Sequence, residues 1–386
     1  MDFELSDDQR AYAESARQFA QSEFAPHAAR WDEEAIFPRE AIAKAGELGF
    51  CGLYAPENAG GLALTRLDTT LVFEELAAVD PSTTAFISIH NMATWMLGTW
   101  ATDEVRTEWG PQLTSGQKLA SYCLTEPGSG SDAASIKTRA ELRGDEYVIN
   151  GGKAFISGAG STDVLVLMAR TGDAGAGGIS AFAVPAHLSG ISYGKKEHKM
   201  GWNSQPTRTI SFDNVRLPAS HRLGREGEGF KIAMKGLDGG RINIATCSVG
   251  AAQGALAHAQ RYIQERKQFG KPLAGFQALQ FKLADMATDL VAARQMVRLA
   301  ATKLDAGAVD ATTYCAMAKR FATDACFNVI NEALQLHGGY GYLRDFPLER
   351  LLRDARVHQI LEGTNEIMRV IVGRRMLDGD APDAIR

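Results

Sequence analysis

Between Leu279 and Leu304, apolar side chains recur at Leu279, Leu283, Met286, Leu290, Ala293, Val297, Ala300 and Leu304, with a spacing that alternates four and three. That period winds one continuous apolar seam along a helix, and a seam of this length requires other helices packed against it. Apolar-periodic stretches at 242–266, 309–337 and 364–378 supply three more helices, so a C-terminal four-helix bundle is the economical expectation. The closing residues, DGDAPDAIR, read as a frayed tail.

Upstream the texture differs twice. Ser6 can cap a helix with Gln9 as its capping-box partner, and Tyr12, Ala16, Phe19 and Ala20 then follow at helical spacing until Pro26. FPREAIAKAGELGF, LDTTLVFEELAAVD and MATWMLGTWA continue the helical pattern. From about Ala120 short β-type runs take over: YVIN followed by Gly151 and Gly152, then VLVLMA, ISAFAVPA and TRTISFDNVRLP, with TGDAGAGG as a loop. The expected fold class is therefore mainly α with a central β domain. It comprises an N-terminal helical domain (1–120), a small antiparallel β-barrel or sandwich, taken as a barrel (121–232), and the four-helix bundle (233–386).

Charge narrows the function. The sequence carries 41 Lys+Arg against 46 Asp+Glu, a formal charge of -5, which offers no general attraction to nucleic acid or anionic membranes. The start, MDFELSDDQR, lacks a basic region followed by an apolar one, so a cytoplasmic location is expected. The five cysteines are widely spaced with no CxxC, which suggests small buried apolar residues and neither a disulfide framework nor a zinc site.

Several segments offer chemistry. YCLTEPGSGSD (Tyr122–Asp132) puts glycines, hydroxyls and a proline in one short loop, which suits either an ordinary linker turn or close approach to a flat polar ligand. GKAFISGAG places Phe155 and Ser157 on one side of a strand, as a stacking ligand with a polar edge would want; a core Phe is the plain alternative. Arg266 ends a long helix, where it either caps or grips a pyrophosphate. In LHGGYGY the paired glycines read first as a helix stop, and His337 as a structural hydrogen-bonder. Glu362, after Ile360 and Leu361 and before Gly363, is a carboxylate beside apolar residues on a loosened loop, with Thr364 placed to cap the next helix. It is the candidate general base.

Together, YCLTEPGSGSD, KAFISGAG, LDGGRINIA, ERKQFGKPL, ALQLHGGYGY and ILEGTNEIMR resemble, in order and approximate spacing, the acyl-CoA dehydrogenase flavoproteins. FISIHNM, GWNSQPTR, GGRINIA and RDARVHQILEG resemble its valine-catabolism members, which act on isobutyryl-CoA. The resemblance implies an FAD-dependent homotetramer that introduces an α,β double bond into a short branched acyl-CoA and passes electrons to electron-transfer flavoprotein. It also implies a flavin ring lined by Tyr122, Cys123, Leu124, Thr125, Gly130 and Ser131, with Phe155, Ile156 and Ser157 beside them. Arg266, Gln268, Phe269, Phe276 and Gln277, with Gln335, Leu336, His337, Gly338 and Gly339, would hold the pyrophosphate and adenosine, partly across a subunit boundary. Thr364, Asn365 and Glu366 would complete that site. Ser131, Asp238, Arg241, Gly363 and Arg374 would face the acyl-CoA.

Within the family the base sits either on the C-terminal loop or on the long helix just before the residue matched by Arg241. Here the helix reads Asp238-Gly239-Gly240-Arg241, and glycine takes no proton, so Glu362 is the implied base. A short-chain or 2-methylbutyryl-CoA dehydrogenase, an oxygen-using acyl-CoA oxidase and a non-catalytic relative are the rival readings.

Overall fold

The computed structural model describes residues 4–378, so all but the first residue of the DGDAPDAIR tail lies outside the described residues. Helix α1 (Asp7–Phe19) starts on the Ser6 and Gln9 capping box, buries Ala16 and Phe19, and passes into a π-helical turn, Ala20–Phe24, that buries Phe24. Helices α2 (Ala28–Glu33), α3 (Arg39–Glu47), α4 (Arg66–Ala77), α5 (Pro81–Trp100) and α6 (Asp103–Thr114) follow. Most of α5 is buried on all sides, and it packs against the C-terminal helices as well as the sheet.

The sheet comprises β1 (Ala120–Cys123), β2 (Arg139–Arg143), β3 (Glu146–Ser157), β4 (Val164–Arg170), β5 (Ile179–Pro185), β6 (Ile191–Tyr193), β7 (Thr207–Pro218) and β8 (Arg222–Leu223). The expected antiparallel barrel does not form. Among the described residues the path β6-β7-β3-β2-β4-β5-β8 stays open, and β4 takes both β1 and β2 as parallel partners. Parallel pairing needs a long crossover, which turn signals between neighbouring runs do not reveal. Both strands share one edge of β4, with Ala120–Cys123 opposite Val164–Leu167 and Arg139 opposite Arg170, so the loop after Cys123 leaves that edge and returns to it.

Gly151 and Gly152 do not end a strand. They lie inside β3 at a register shift against β7, where Gly151 takes φ +144° and a Cβ would come within 2.6 Å of Thr138 Cα.

The C-terminal region begins with the 37-residue α7 (Gly229–Glu265), which starts earlier than the periodicity from 242 indicates. After a small hairpin, β9 (Lys267–Gln268) and β10 (Lys271–Pro272), come α8 (Gln277–Asp305), α9 (Ala311–Leu336), α10 (Leu348–Arg356) and α11 (Asn365–Leu377). The seam works as its spacing requires. Met286, Leu290, Ala293, Val297 and Ala300 are buried in one core with Val249 and Val329, while Leu279, Leu283 and Leu304 pack on its margin. Helices α7, α8 and α9 pack on one another, α11 packs on α9, and the short α10 is an element the periodicity did not announce. All five cysteines are buried and free. No helix among the described residues is long and apolar enough to cross a membrane.

Candidate active site

Glu362 stands between a 3-10 turn, Val357–Gln359, and the start of α11. It and Gly363 both have left-handed backbones, φ +55° and +89°, which turns the chain sharply and drives the carboxylate inward. The turn is pinned from several sides. The Thr364 side chain caps α11 by accepting from Ile367 N at 3.3 Å, and Lys319 Nζ donates to Gly363 O and Asn365 Oδ1, both at 2.8 Å. Asn365 Nδ2 donates in turn to Asp324 Oδ1 at 2.7 Å and Thr323 Oγ1 at 2.9 Å. Lys319 is fully buried, and burial lowers its pKa to about 7 against the pull of Glu362.

Glu362 is half-buried as a residue, but its Oε2 meets neither water nor any hydrogen-bond donor. Burial raises the carboxyl pKa to about 7, opposed by the positive charges of Arg241 and Lys319. The carboxylate lies against α7 at Gly240, where a Cβ would sit 2.5 Å from Oε2, and Met92 Sδ borders the same spot at 3.2 Å. Tyr122 Oη is a second buried polar atom without a partner, and its pKa is held far up by burial and by the Glu362 charge. An undonated carboxylate near an unpartnered phenol, walled by a thioether and bare helix backbone, is the setting that a base for a weakly acidic C–H requires.

Flanking charges are arranged on α7. Arg241 Nη1 pairs with Asp238 Oδ1 at 2.7 Å and its Nε approaches Glu362 O at 3.4 Å, while Asp238 Oδ2 accepts from Thr312 at 2.7 Å. Asp238 and Arg241 thus reach the Glu362 loop. Arg374 does not: it is exposed near the far end of α11, roughly 14 Å along the helix axis from the capped end.

The loop after β1 opens beside Glu362. Cys123, Leu124 and Ile156 are buried, so no side chain of these three is free to meet a ligand. Thr125 O accepts from Ala154 N at 2.9 Å, tying the loop to β3. A second register shift lies between Lys153 and Ile156, and within it Phe155 takes φ +57° and is 70% exposed. The core-Phe reading is thereby corrected. Ser157 is half-buried, Gly130 and Ser131 are exposed, and a Cβ on Gly130 would meet nothing within 4 Å. An outward aromatic held by strained backbone, together with an exposed glycine loop, suits a flat polar ring system.

The other predicted cofactor residues form a separate group. Arg266, Gln268, Gln335, Leu336, His337, Gly338 and Gly339 line a cleft of about 540 Å³. His337 has the structural role expected of it, with Nδ1 on Ala333 O at 2.8 Å and its ring stacked on Tyr262 at 4.3 Å. Phe269 is 93% exposed and sits edge-on to Phe276, while Gln277 opens α8. Asn365 is buried and used by the loop, and Glu366 is exposed. Arg241 and Arg266 lie in the first half and at the end of the 37-residue α7, roughly 40 Å apart along its axis. The structure does not bring the two predicted cofactor groups together within one chain.

Comparison with known proteins adds the decisive observation. The N-terminal, middle and C-terminal domains of acyl-CoA dehydrogenase match residues 6–117, 121–215 and 227–377. The chain belongs to the acyl-CoA dehydrogenase family. It is 52% identical over 373 residues to the mitochondrial isobutyryl-CoA dehydrogenase of Bos taurus, covering 97% of this chain and 90% of that protein. The butyryl-CoA dehydrogenase of Megasphaera elsdenii superposes with TM-score 0.94 at 39% identity, covering 98% of this chain and 100% of that one. A chain from a structure of the electron transferring flavoprotein of Acidaminococcus fermentans superposes with TM-score 0.95 at 41% identity, covering 98% and 100%. Membership makes this acyl-CoA dehydrogenase a flavin-dependent oxidoreductase with FAD as its cofactor.

Three residues around this acyl-CoA dehydrogenase site escape sequence reasoning. Besides Lys319 there is Lys153, whose buried Nζ bonds Glu126 Oε1 at 2.8 Å and Leu124 O at 2.9 Å. Glu126 also accepts from Lys137 N and Thr138 N, so one ion pair clamps both ends of the loop that carries Gly130 and Ser131. The third is Arg66, a buried guanidinium stacked 3.4 Å from the centre of the Tyr54 ring. Two motifs prove to be one unit: Trp202 N of GWNSQPTR donates to Asp354 Oδ1 of RDARVHQILEG at 2.6 Å.

Proposed function

We propose that this acyl-CoA dehydrogenase converts isobutyryl-CoA to methacrylyl-CoA in valine catabolism, with Glu362 as the base. The observation that carries the reading is the Glu362 carboxylate, buried, without a donor on Oε2, and with its pKa raised to about 7. The 52% identity to an isobutyryl-CoA dehydrogenase supports the substrate.

The α proton of a thioester is weakly acidic, so the site must favour the charge that grows on the thioester oxygen as the proton leaves. Glu362 Oε2 takes the proton. The family resemblance gives the Glu362 backbone N–H as a donor to the thioester oxygen. Arg241 and Lys319 add positive charge to the pocket and keep the carboxylate ionised often enough to act. Tyr122 to Thr125 and Phe155 to Ser157 would hold the ring of FAD, which supplies the acceptor for the β hydride. Met92 and the bare backbone at Gly240 keep water from the carboxylate.

Electron-transfer flavoprotein is the acceptor we assign, on the strength of the Acidaminococcus neighbour. A homotetramer is supported by the separation of the two cofactor groups, since the cleft at Arg266 and Gln335 would then serve the flavin of an adjacent subunit.

The test is a substrate panel with purified protein and an artificial electron acceptor. The kcat/KM for isobutyryl-CoA is expected to exceed that for butyryl-, 2-methylbutyryl- and isovaleryl-CoA, with anaerobic flavin bleaching and little peroxide in air. A straight-chain preference would remove the isobutyryl assignment, and rapid peroxide formation would favour the oxidase reading.

A further inference from the structure

Arg66 opens α4, and its backbone N–H is taken by Asp305 Oδ1 at 2.7 Å. Its guanidinium does something else. It is buried, lies 3.4 Å from the centre of the Tyr54 ring and 5.3 Å from that of Trp95, and its Nη1 has neither solvent nor a hydrogen-bond partner. A Cβ on Gly239 would be 2.6 Å from Arg66 Nη2, just as a Cβ on Gly240 would be 2.5 Å from Glu362 Oε2. Two consecutive glycines of α7 therefore carry the Glu362 carboxylate and a buried guanidinium that makes no ion pair among the described residues. Further along the same face, Asn243 Nδ2 donates to Tyr54 Oη at 3.1 Å, and one turn earlier Gly236 faces Met96.

We propose that Arg66, stacked on Tyr54 and Trp95, is the residue that limits the length of the acyl chain accepted beside Glu362. This deepens the substrate reading above and rests on Glu362 marking the α carbon. Isobutyryl and butyryl groups end within a few bonds of that carbon, short of the guanidinium. A longer straight chain must press methylenes against the buried guanidinium, whose Nη1 already lacks an acceptor, and so must displace it. An apolar chain offers a charged N–H nothing in return. The stack also resists displacement, because the Tyr54 and Trp95 rings hold the cation through their faces. A methionine or leucine would fill similar volume and offer a longer chain an apolar wall.

The measurement is kcat/KM for butyryl-CoA and hexanoyl-CoA in wild type, Arg66→Leu and Arg66→Gln. The pair differs only in straight-chain length, so the outcome is independent of whether isobutyryl-CoA is the preferred substrate. In Arg66→Leu the hexanoyl-to-butyryl ratio is expected to rise at least tenfold, within the 10- to 200-fold that one methylene commands in an apolar pocket. Arg66→Gln keeps a planar polar group over Tyr54, and its ratio is expected to rise by a smaller factor. Equal losses for both substrates in folded, FAD-loaded variants would show a merely structural residue and overturn the proposal. If neither variant folds, wild type decides. Flavin-monitored titration should give a dissociation constant at least tenfold weaker for hexanoyl-CoA than for butyryl-CoA, and equal affinities would overturn it.

Discussion

Glu362 Oε2 occupies the space that a side chain on Gly240 would need, at 2.5 Å from an ideal Cβ. The carboxylate rests on bare helix backbone, and α7 gives up helix propensity there to admit it. Alanine inside a helix is ordinarily favoured over glycine by about 1 kcal/mol. Gly240→Ala is therefore expected to lose little thermal stability and to lower kcat/KM by tenfold or more, because the methyl displaces the proposed base. Unchanged kcat/KM would show that the carboxylate works from another position.

Glu362→Gln retains the shape of the side chain and removes its basicity. Dehydrogenation should fall by at least 100- to 10,000-fold while FAD and acyl-CoA still bind, the range lost with a general base. Single-turnover bleaching of the flavin by substrate is the readout, and turnover near wild type would place the base elsewhere.

The raised Glu362 pKa ties activity and stability to pH with opposite signs. The free-enzyme kcat/KM should rise as pH passes through about 7, where the carboxyl ionises. A carboxyl whose folded pKa is raised stabilises the fold below its unfolded pKa of 4.5, and that contribution is lost as pH climbs through about 7. Above pH 8, Glu362→Gln should thus melt higher than wild type, by a margin of the order of 3 kcal/mol at 1.36 kcal/mol per pKa unit. Thermal melts of both proteins between pH 5 and 8.5 check it: the curves should approach each other at the acid end.

Lys319→Met removes the donors that hold Gly363 O and Asn365 Oδ1, and with them a charge that favours ionised Glu362. Besides a lower kcat, the acidic limb of the kcat/KM profile should move to higher pH. A loss of kcat with an unmoved limb would mean that Lys319 acts on loop geometry alone.

Lys153→Met leaves Glu126 buried without its cation. Breaking such a pair costs about 3 to 5 kcal/mol. The variant should be isolated with reduced FAD content, as judged by the ratio of absorbance at 450 to 280 nm, and Lys153→Arg should restore part of it.

The α8 seam and the Ser6 capping box were legible because they depend on neighbours three and four residues away, and periodicity reports only such neighbours. Glu362 was legible through its apolar flank and Gly363. The open sheet was not, because the β1 and β4 pairing joins strands separated by the loop, β2 and β3. Gly151 and Gly152 carry the composition of a turn, yet tertiary pairing with β7 draws them into a bulge. Lys153, Lys319 and Arg66 stayed hidden for a shared reason: a cation in an apolar-periodic stretch reads as its solvated face until the fold supplies a buried carboxylate, carbonyl or ring.

With Glu362 as the proposed base, its left-handed backbone separates what folding favours from what turnover requires. Glycine would adopt that conformation without strain, at a saving of the order of 1 kcal/mol. A gene copy freed from selection for turnover therefore has a downhill route at this one codon, toward a sturdier protein that still carries its flavin but has lost its proton acceptor. Among homologues, glycine at this position without a carboxylate at the position of Gly240 would mark descendants that kept the scaffold and abandoned the reaction.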